Sequence, residues 1–235
     1  MTLRSLGTVA VAALALSGCG GATSNAGRAT LWITRDRGTK VLLDTNVPAG
    51  ETLMRALRSK AEVDTRYGGR FVQSIDGLSG SAGAERDWFW FVNGLLGDRS
   101  AAEYRLHAGD VAWWDYRNWG SDFATAVVVG AFPEPFRHGY AGHVRPTEVV
   151  YGRGLAGAAL TIGKELHAEA VARLGAPVPK DDNVFRLVSG SHRFVAEMRT
   201  PGGGPSGPVQ FTYAGDPALL RPSGHRPYRH RFSLP

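Results

Sequence analysis

Residues 88–94 read Trp-Phe-Trp-Phe-Val-Asn-Gly, and this stretch decides the fold of the first half of the chain. Four aromatic residues and a valine followed by Asn-Gly are typical of a β-strand that ends in a tight hairpin turn. Because successive side chains of a strand point to opposite faces of the sheet, Trp88 and Trp90 share one face, and Phe89 and Phe91 share the other. The stretch therefore predicts a sheet with large aromatic side chains on both faces.

A second aromatic strand is predicted at residues 111–116, which read Val-Ala-Trp-Trp-Asp-Tyr. Trp113 and Trp114 point to opposite faces of this strand, and Tyr116 lies on the side of Trp114. One aromatic set must build the core. The other set either packs on a second domain or stacks on a planar ligand, and the sequence leaves both open. The candidate ligand-binding residues are Trp88, Trp90, Asn93, Trp113, Trp114 and Tyr116.

The segments around these two strands complete a small β-rich domain at residues 29–119. Residues 29–34 and 40–45 mix β-branched residues with other apolar side chains and predict two strands. Residues 51–58 carry their apolar side chains on one helical face and predict a short helix. The predicted order is two strands, a helix and then several strands.

Four segments of this domain, in this order, resemble the transcobalamin C-terminal-like domain, the small β-rich module that closes over cobalamin in the animal carriers. They are residues 52–57 (Thr-Leu-Met-Arg-Ala-Leu), 71–77 (Phe-Val-Gln-Ser-Ile-Asp-Gly), 88–94, and 104–113 (Tyr-Arg-Leu-His-Ala-Gly-Asp-Val-Ala-Trp). The resemblance covers less than half of the chain. It implies a β-grasp-like fold and a ligand such as cobalamin or another corrinoid, and no cofactor is expected to be required.

Residues 126–220 predict a second domain of the α/β type, so that the whole chain falls in the α+β class. Helical spacing of apolar residues predicts one long helix at residues 155–174, packed against a sheet. The sheet strands are predicted at residues 126–132, 147–151, 184–188, 192–198 and 208–213. Residues 152–157 are rich in glycine but lack the Lys-Ser/Thr pair of a phosphate-binding loop, so they do not predict a nucleotide site.

The N-terminus predicts export and lipid attachment. An apolar run at residues 6–16 is long enough for a signal peptide and too short to span a bilayer. Leu16-Ser17-Gly18-Cys19 resembles the lipobox of bacterial lipoprotein signals, and Cys19 is the only cysteine. We therefore expect a signal peptide at residues 1–18, diacylglyceryl and palmitate on Cys19, and a flexible tether at residues 19–28. The expected location is the extracytoplasmic face of the cell membrane.

The charge balance is basic, with 27 Lys and Arg against 21 Asp and Glu and a net charge of +6. Basic residues concentrate at residues 221–235, which we interpret as a solvated basic tail. Contact of this tail with acidic lipid headgroups or cell-wall polymers is the alternative. The chain has no recognisable nucleic-acid-binding motif, and nucleic acid is not an expected partner.

The sequence predicts neither a catalytic centre nor a metal site. It contains no Gly-x-Ser-x-Gly elbow, and none of its seven histidines forms a His-x-x-x-His pair. The closest pairs, His138 with His143 and His225 with His230, are five residues apart. Either member of the first pair could instead be an axial ligand to the cobalt of a corrinoid.

These patterns favour a non-enzymatic, membrane-anchored extracytoplasmic lipoprotein. It would bind a small ligand, with cobalamin or another corrinoid as candidates, for uptake or handover to a membrane transporter. The alternative is a cell-surface module that contacts another protein or the cell wall and has no small-molecule ligand. A hydrolase whose active-site residues are unmarked in the sequence is a third class.

Overall fold

A computed structural model describes residues 27–120, 123, 125–221 and 226–234 of the chain. The expected signal peptide, Cys19 and most of the expected tether lie outside the described residues. Within the described part, no helix has the length and apolar character needed to cross a membrane.

The described residues are mostly β, and we divide them into an N-terminal unit (residues 27–120) and a C-terminal unit (residues 125–234). The N-terminal unit contains β1 (Arg28–Arg35), β2 (Lys40–Pro48), α1 (Leu53–Arg58), β3 (Val63–Arg66), β4 (Phe71–Ile75), β5 (Leu78–Ser79), β6 (Arg86–Val92), β7 (Leu95–Leu96) and β8 (Val111–Asn118). The C-terminal unit contains a 3₁₀ helix (Val129–Ala131), β9 (Thr147–Tyr151), α2 (Ala156–Glu165), β10 (Ala170–Arg173), β11 (Asn183–Val188), β12 (Arg193–Met198), β13 (Val209–Ala214) and a second 3₁₀ helix (Pro217–Leu220).

The central sheet of the N-terminal unit has the strand order β2-β1-β8-β6-β7. Strands β1 and β8 are parallel, and the other neighbouring pairs are antiparallel. Trp90 lies opposite Trp114, and Phe91 lies opposite Trp113. The predicted division of the aromatic side chains between the two faces is therefore confirmed.

Helix α1 covers one face of this central sheet, together with the small sheet β3-β4-β5. The helix begins where the Thr52 side chain accepts a hydrogen bond from the backbone N–H of Arg55, at 3.2 Å. Leu53 and Leu57 of α1 are fully buried in the same apolar cluster as Trp114. This face therefore supplies the core of the N-terminal unit.

The opposite face of the central sheet is covered by the beginning and the end of the C-terminal unit. Trp32, Phe91 and Trp113 form an apolar cluster with Val128 and Phe232. The rings of Trp113 and Phe232 are nearly perpendicular, with centroids 5.4 Å apart. Of the two possibilities that the sequence leaves open, packing between the two halves of the chain accounts for this face.

The sheet of the C-terminal unit has the strand order β10-β9-β11-β13-β12. Its first four strands are parallel, and β12 pairs antiparallel to β13 at one edge. Helix α2 connects β9 to the parallel neighbour β10, because parallel strands need such a crossover. Phe132 lies at the centre of the core, and its aromatic neighbours are Phe136, Phe185, Phe194, Phe211 and Tyr228.

The long helix predicted at residues 155–174 is wrong in its length, because α2 ends at Glu165. His167 then adopts a positive φ of 53°, and the chain turns into β10. A Cβ atom on Gly163 would lie 2.6 Å from a methyl carbon of Val171, so the last turn of the helix packs directly on this strand. Beyond Glu165 the apolar spacing does not follow a buried helical face, since Leu166 is buried but Ala170 and Leu174 are exposed.

The strand predicted at residues 126–132 is also wrong. Val127 alone forms a bridge, with Leu95, and Val129–Ala131 is a 3₁₀ helix. The segment is apolar because it is enclosed, with Phe132 in the core. A short continuous apolar run indicates burial, but by itself it does not distinguish a strand from other buried structure.

The segment interpreted as a solvated basic tail is packed over its described residues, 226–234. Tyr228 is fully buried, and Leu234 forms a bridge with Phe194 of β12. Arg229 donates a 2.7 Å hydrogen bond to the carboxylate of Asp44 on β2. The interpretation was wrong because the apolar side chains between the basic residues bind the segment to both units.

Candidate ligand-binding groove

An aromatic groove with a volume of about 560 Å³ lies beside strand β6. The groove lies between three sides: residues 88–90 of β6, the tip of the β3–β4 hairpin, and residues 96–101. The groove floor, as we use the term, consists of Trp88, Trp90 and Trp114. Ligand pockets in proteins commonly have this size and an apolar, aromatic lining.

The shortness of β7 leaves the groove open. This strand has two residues and pairs only with Phe91 and Val92 of β6, so Trp88 and Trp90 lie beyond the end of the pairing. The chain then crosses close to the indole of Trp90, where a Cβ atom on Gly97 would lie 2.2 Å from the ring. Residue 97 must therefore be glycine for the chain to pass along the floor.

The floor is held in place by hydrogen bonds and ring contacts. Trp88 Nε1 donates a 2.8 Å hydrogen bond to the carbonyl oxygen of Leu78. The ring of Tyr116 lies behind Trp88 at a centroid distance of 5.2 Å, and the ring of Trp90 contacts Tyr104 at 5.6 Å. Such fixed aromatic surfaces are ready to receive a ligand without rearrangement.

The rim of the groove, as we use the term, consists of Tyr67, Phe71 and Phe123. Tyr67 is 77% exposed and Phe123 is 64% exposed, and the rings of Tyr67 and Phe71 contact each other at 6.2 Å. Contiguous exposed aromatic side chains beside a groove are typical of interaction sites.

Two arginines supply the charge of the groove lining. Among the described residues, Arg70 and Arg99 are the only charged side chains that line it. Arg70 forms an ion pair with Glu103, and Arg99 Nε donates a 2.8 Å hydrogen bond to Asp98. Neither carboxylate lines the groove, so the lining itself is positively charged.

The structure brings three of the six predicted binding residues into the groove. These are Trp88, Trp90 and Trp114, and Tyr116 supports them from behind. Trp113 is instead fully buried on the opposite face of the sheet. Its Nε1 donates a 2.7 Å hydrogen bond to the hydroxyl of Thr34, and its ring packs against Phe232 of the C-terminal unit.

Asn93 also lies away from the groove, at the turn between β6 and β7. Its Nδ2 donates 2.8 Å hydrogen bonds to Asp110 and to the carbonyl oxygen of Gly139. Its Oδ1 accepts a hydrogen bond from the backbone N–H of Val111 at 2.8 Å. The buried amide therefore joins the two units, because Gly139 belongs to the C-terminal unit.

The rim and the arginines were missed in the sequence. Tyr67-Gly68-Gly69-Arg70-Phe71 contains a clear turn signal, with aromatic residues on either side of two glycines. An exposed aromatic pair at a hairpin tip could have suggested a contact surface. Its position over Trp90 depends on how the hairpin folds back on the central sheet, which the local pattern does not contain.

The segment of residues 134–143 docks the C-terminal unit on the N-terminal unit. His138 Nδ1 lies 2.7 Å from a carboxylate oxygen of Glu134, and this hydrogen bond raises the pKa of His138 above its ordinary value. Burial raises the pKa of Asp110, although Asn93 and the backbone N–H of His107 donate to its carboxylate. The segment contacts the N-terminal unit through the backbone N–H of Ala141, which donates to Tyr104 Oη at 3.0 Å, and through Tyr140 Oη, which donates to Asp98 at 2.7 Å.

The described residues contain no group of three or more histidine, cysteine, aspartate or glutamate side chains that could hold a metal ion. His143 lines a separate cavity of about 300 Å³ with Tyr140 and Arg145. The glycine-rich stretch after β9 lines another cavity, of about 660 Å³, with the exposed side chains of Arg153 and Arg173. Neither cavity has the aromatic floor of the groove.

Residues 50–118 match the family model described as a domain of unknown function, DUF4430. The matched segment runs from α1 to β8, covers less than half of the chain and contains the groove floor. No curated protein sequence matches the chain.

Two solved structures are similar to part of the chain. A candidate metal-binding protein from Ruminococcus gnavus ATCC 29149 is 15% identical, with a TM-score of 0.34, over 39% of this chain and 97% of that one. Haptocorrin in complex with Cbi is 13% identical, also with a TM-score of 0.34, over 40% of this chain and 26% of that one. The matched part of the chain spans about a quarter of haptocorrin.

Proposed function

We propose that this protein is a non-enzymatic, membrane-anchored extracytoplasmic lipoprotein that binds a small ligand in the aromatic groove. The observation that carries the proposal is an open aromatic groove of about 560 Å³, in which the half-buried Trp90 lies beside the largely buried Trp88 and Trp114. Indole rings bury a large apolar area and stack on planar groups. Trp90 and the exposed rim rings suit a ligand with a flat ring.

A corrinoid is the first ligand to test, because its ring could lie against Trp90 while its substituents reach the rim. The resemblance of residues 52–57, 71–77, 88–94 and 104–113 to the transcobalamin C-terminal-like domain supports the same choice. The ligand would then be passed to a membrane transporter. Lipid on Cys19 would keep the groove close to such a partner.

The binding experiment is a tryptophan-fluorescence titration of the full chain with cobalamin, corrected for absorption by the ligand. We expect saturable quenching that Trp90→Ala weakens by about fivefold or more, since an aromatic contact contributes about 0.5–1.5 kcal/mol beyond its buried area. Phe71→Ala changes an exposed rim residue and should weaken binding without affecting the core. Leu42→Ala, at an exposed position on β2 outside the groove, is the matched control.

Quenching that free tryptophan reproduces, or that both Trp90→Ala and Phe71→Ala leave unchanged, would reject cobalamin as the ligand. The anchor is tested separately by mass spectrometry of the protein recovered from membranes. A diacylated N-terminal Cys19 peptide that disappears in Cys19→Ser is expected. A soluble mature protein without lipid would refute the anchor.

The second candidate function is a surface module that contacts a protein or the cell wall. The exposed rim residues Tyr67, Phe71 and Phe123 favour it, since they could be covered by a partner. A rim substitution would then abolish capture of the partner, whereas Trp90→Ala, at a half-buried floor position, would have less effect.

A further inference from the structure

The charged lining of the groove restricts the chemistry of its ligand. Arg70 and Arg99 line the groove, while Glu103 and Asp98 pair with them from outside the lining. No described carboxylate lines the groove. A ligand that lies on the floor therefore meets two guanidinium groups and no acidic side chain.

Both arginines can change partners. The side chains of Arg70 and Glu103, and those of Arg99 and Asp98, are substantially exposed to solvent. Exposed ion pairs contribute little to stability, so a ligand anion can replace the carboxylate in either pair. Asp98 would keep a hydrogen-bond donor after such an exchange, because the hydroxyl of Tyr140 donates to it at 2.7 Å.

The floor contains a buried donor without an acceptor. Trp114 is 2% exposed, and its Nε1 has no hydrogen-bond partner among the described residues. Buried N–H groups are nearly always paired in folded proteins, so this unpaired donor on a groove-lining side chain points to an acceptor supplied from outside the chain. A carboxylate has more acceptor positions than any neutral group of its size, and charge makes its hydrogen bonds stronger.

We infer that the groove is selective for planar aromatic acids, whose ring lies on the indole floor and whose acidic group pairs with Arg70 and Arg99 and accepts from Trp114. Guanidinium groups match a carboxylate in shape as well as in charge. The inference rests on the proposed binding of a small ligand in this groove, and it names a ligand class other than cobalamin, which is not a carboxylic acid.

The test compares two probes of nearly identical shape, 2-naphthoate and 2-naphthamide, which differ in charge. Isothermal titration calorimetry of the full chain should give at least about tenfold tighter binding of 2-naphthoate, since charge-assisted hydrogen bonds are about twice as strong as neutral ones. Arg70→Gln/Arg99→Gln should lower the affinity for 2-naphthoate to that for 2-naphthamide and leave the affinity for 2-naphthamide unchanged. Added salt should weaken only the binding of 2-naphthoate.

Arg55→Gln is the matched control, because Arg55 is also an exposed arginine in an ion pair, with Glu51, and lies outside the groove. It should retain the preference for the acid. A thermal melt of each variant establishes that the fold is intact.

Equal affinity for the two probes in the unsubstituted protein would overturn the selectivity for acids and leave small-ligand binding in place. A preference that survives Arg70→Gln/Arg99→Gln would overturn the assigned role of the arginines. Binding of neither probe at millimolar concentration would overturn the inference, while the cobalamin titration decides the proposed groove function separately.

Discussion

Trp113 and Trp114 are adjacent in the sequence and have opposite environments. Trp113 lies on a face that the C-terminal unit covers, and its indole N–H donates to Thr34. Trp114 lies on the face that reaches the groove, and its indole N–H has no acceptor among the described residues. Two residues of one type on one strand therefore differ because different segments cover them. Both faces of this aromatic strand are packed, and only part of the Trp114 face borders the groove.

The largest expected effect is on the covered face. Trp113→Ala should lower the free energy of unfolding by about 3–5 kcal/mol, because it leaves a large cavity between Trp32, Phe91 and Phe232. Urea denaturation followed by circular dichroism measures the change. A loss below about 1 kcal/mol would show that this face is not a packed core.

A smaller effect is expected from Thr34→Val. The substitution removes the acceptor of Trp113 Nε1 and the donor to Asp115, so buried polar groups lose partners at a cost of about 1–3 kcal/mol. The same denaturation experiment applies, with Thr45→Val on the half-buried side of β2 as the control for changing a strand threonine. Equal stability of the two variants would contradict the polar role of Thr34.

Substituting Trp113 and Trp114 by the same residue, phenylalanine, compares the two faces of the strand directly. Trp114→Phe should destabilise less than Trp113→Phe, by about 1 kcal/mol, because only Trp113 loses an existing hydrogen bond. Trp114→Phe should nevertheless weaken the binding of 2-naphthoate, which Trp113→Phe should leave unchanged. Calorimetric titration of the two variants tests this reversal, and a weaker acid complex in Trp113→Phe alone would reverse the assignment of the faces.

The smallest expected effect is a dependence of stability on pH at the contact between the units. The hydrogen bond to Glu134 raises the pKa of His138 above the ordinary value of 6.5, so the folded protein favours the protonated imidazole. This stabilisation is fully present below about pH 6.5 and is lost as the pH rises through the raised pKa. Unfolding free energies measured between about pH 5 and 8 should show this decline, and His138→Gln should remove it. An unchanged pH profile in the variant would contradict the assignment.

Local patterns predicted the parts of the fold that depend on local geometry. The alternation of Trp88 to Phe91 between two faces follows from the period of a strand, and the short helix around Leu53 follows from its apolar spacing. The segment 126–132 and the basic tail were misread because their structure depends on contacts far away in the sequence. Bridges to Leu95 and Phe194 fix these segments.

The candidate site likewise contains residues that the sequence identified and residues that it did not. Trp88, Trp90 and Trp114 could be chosen from the aromatic strands alone, and they form the floor. Trp113 could not be separated from Trp114 by sequence, because its covering residue Phe232 lies at the other end of the chain. The rim depends on the folding of a hairpin over the sheet, and it became visible only in three dimensions.

The most direct test of groove binding is an NMR titration that follows the indole N–H signals of the six tryptophans. The full chain, labelled at its tryptophans and assigned through single Trp→Phe variants, would be titrated with 2-naphthoate and then with cobalamin. We predict that the signals of Trp90 and Trp114 shift with saturation, while those of Trp32 and Trp113 stay in place. Saturating shifts confined to Trp32 and Trp113, or no shift of any indole, would contradict a ligand site in the aromatic groove.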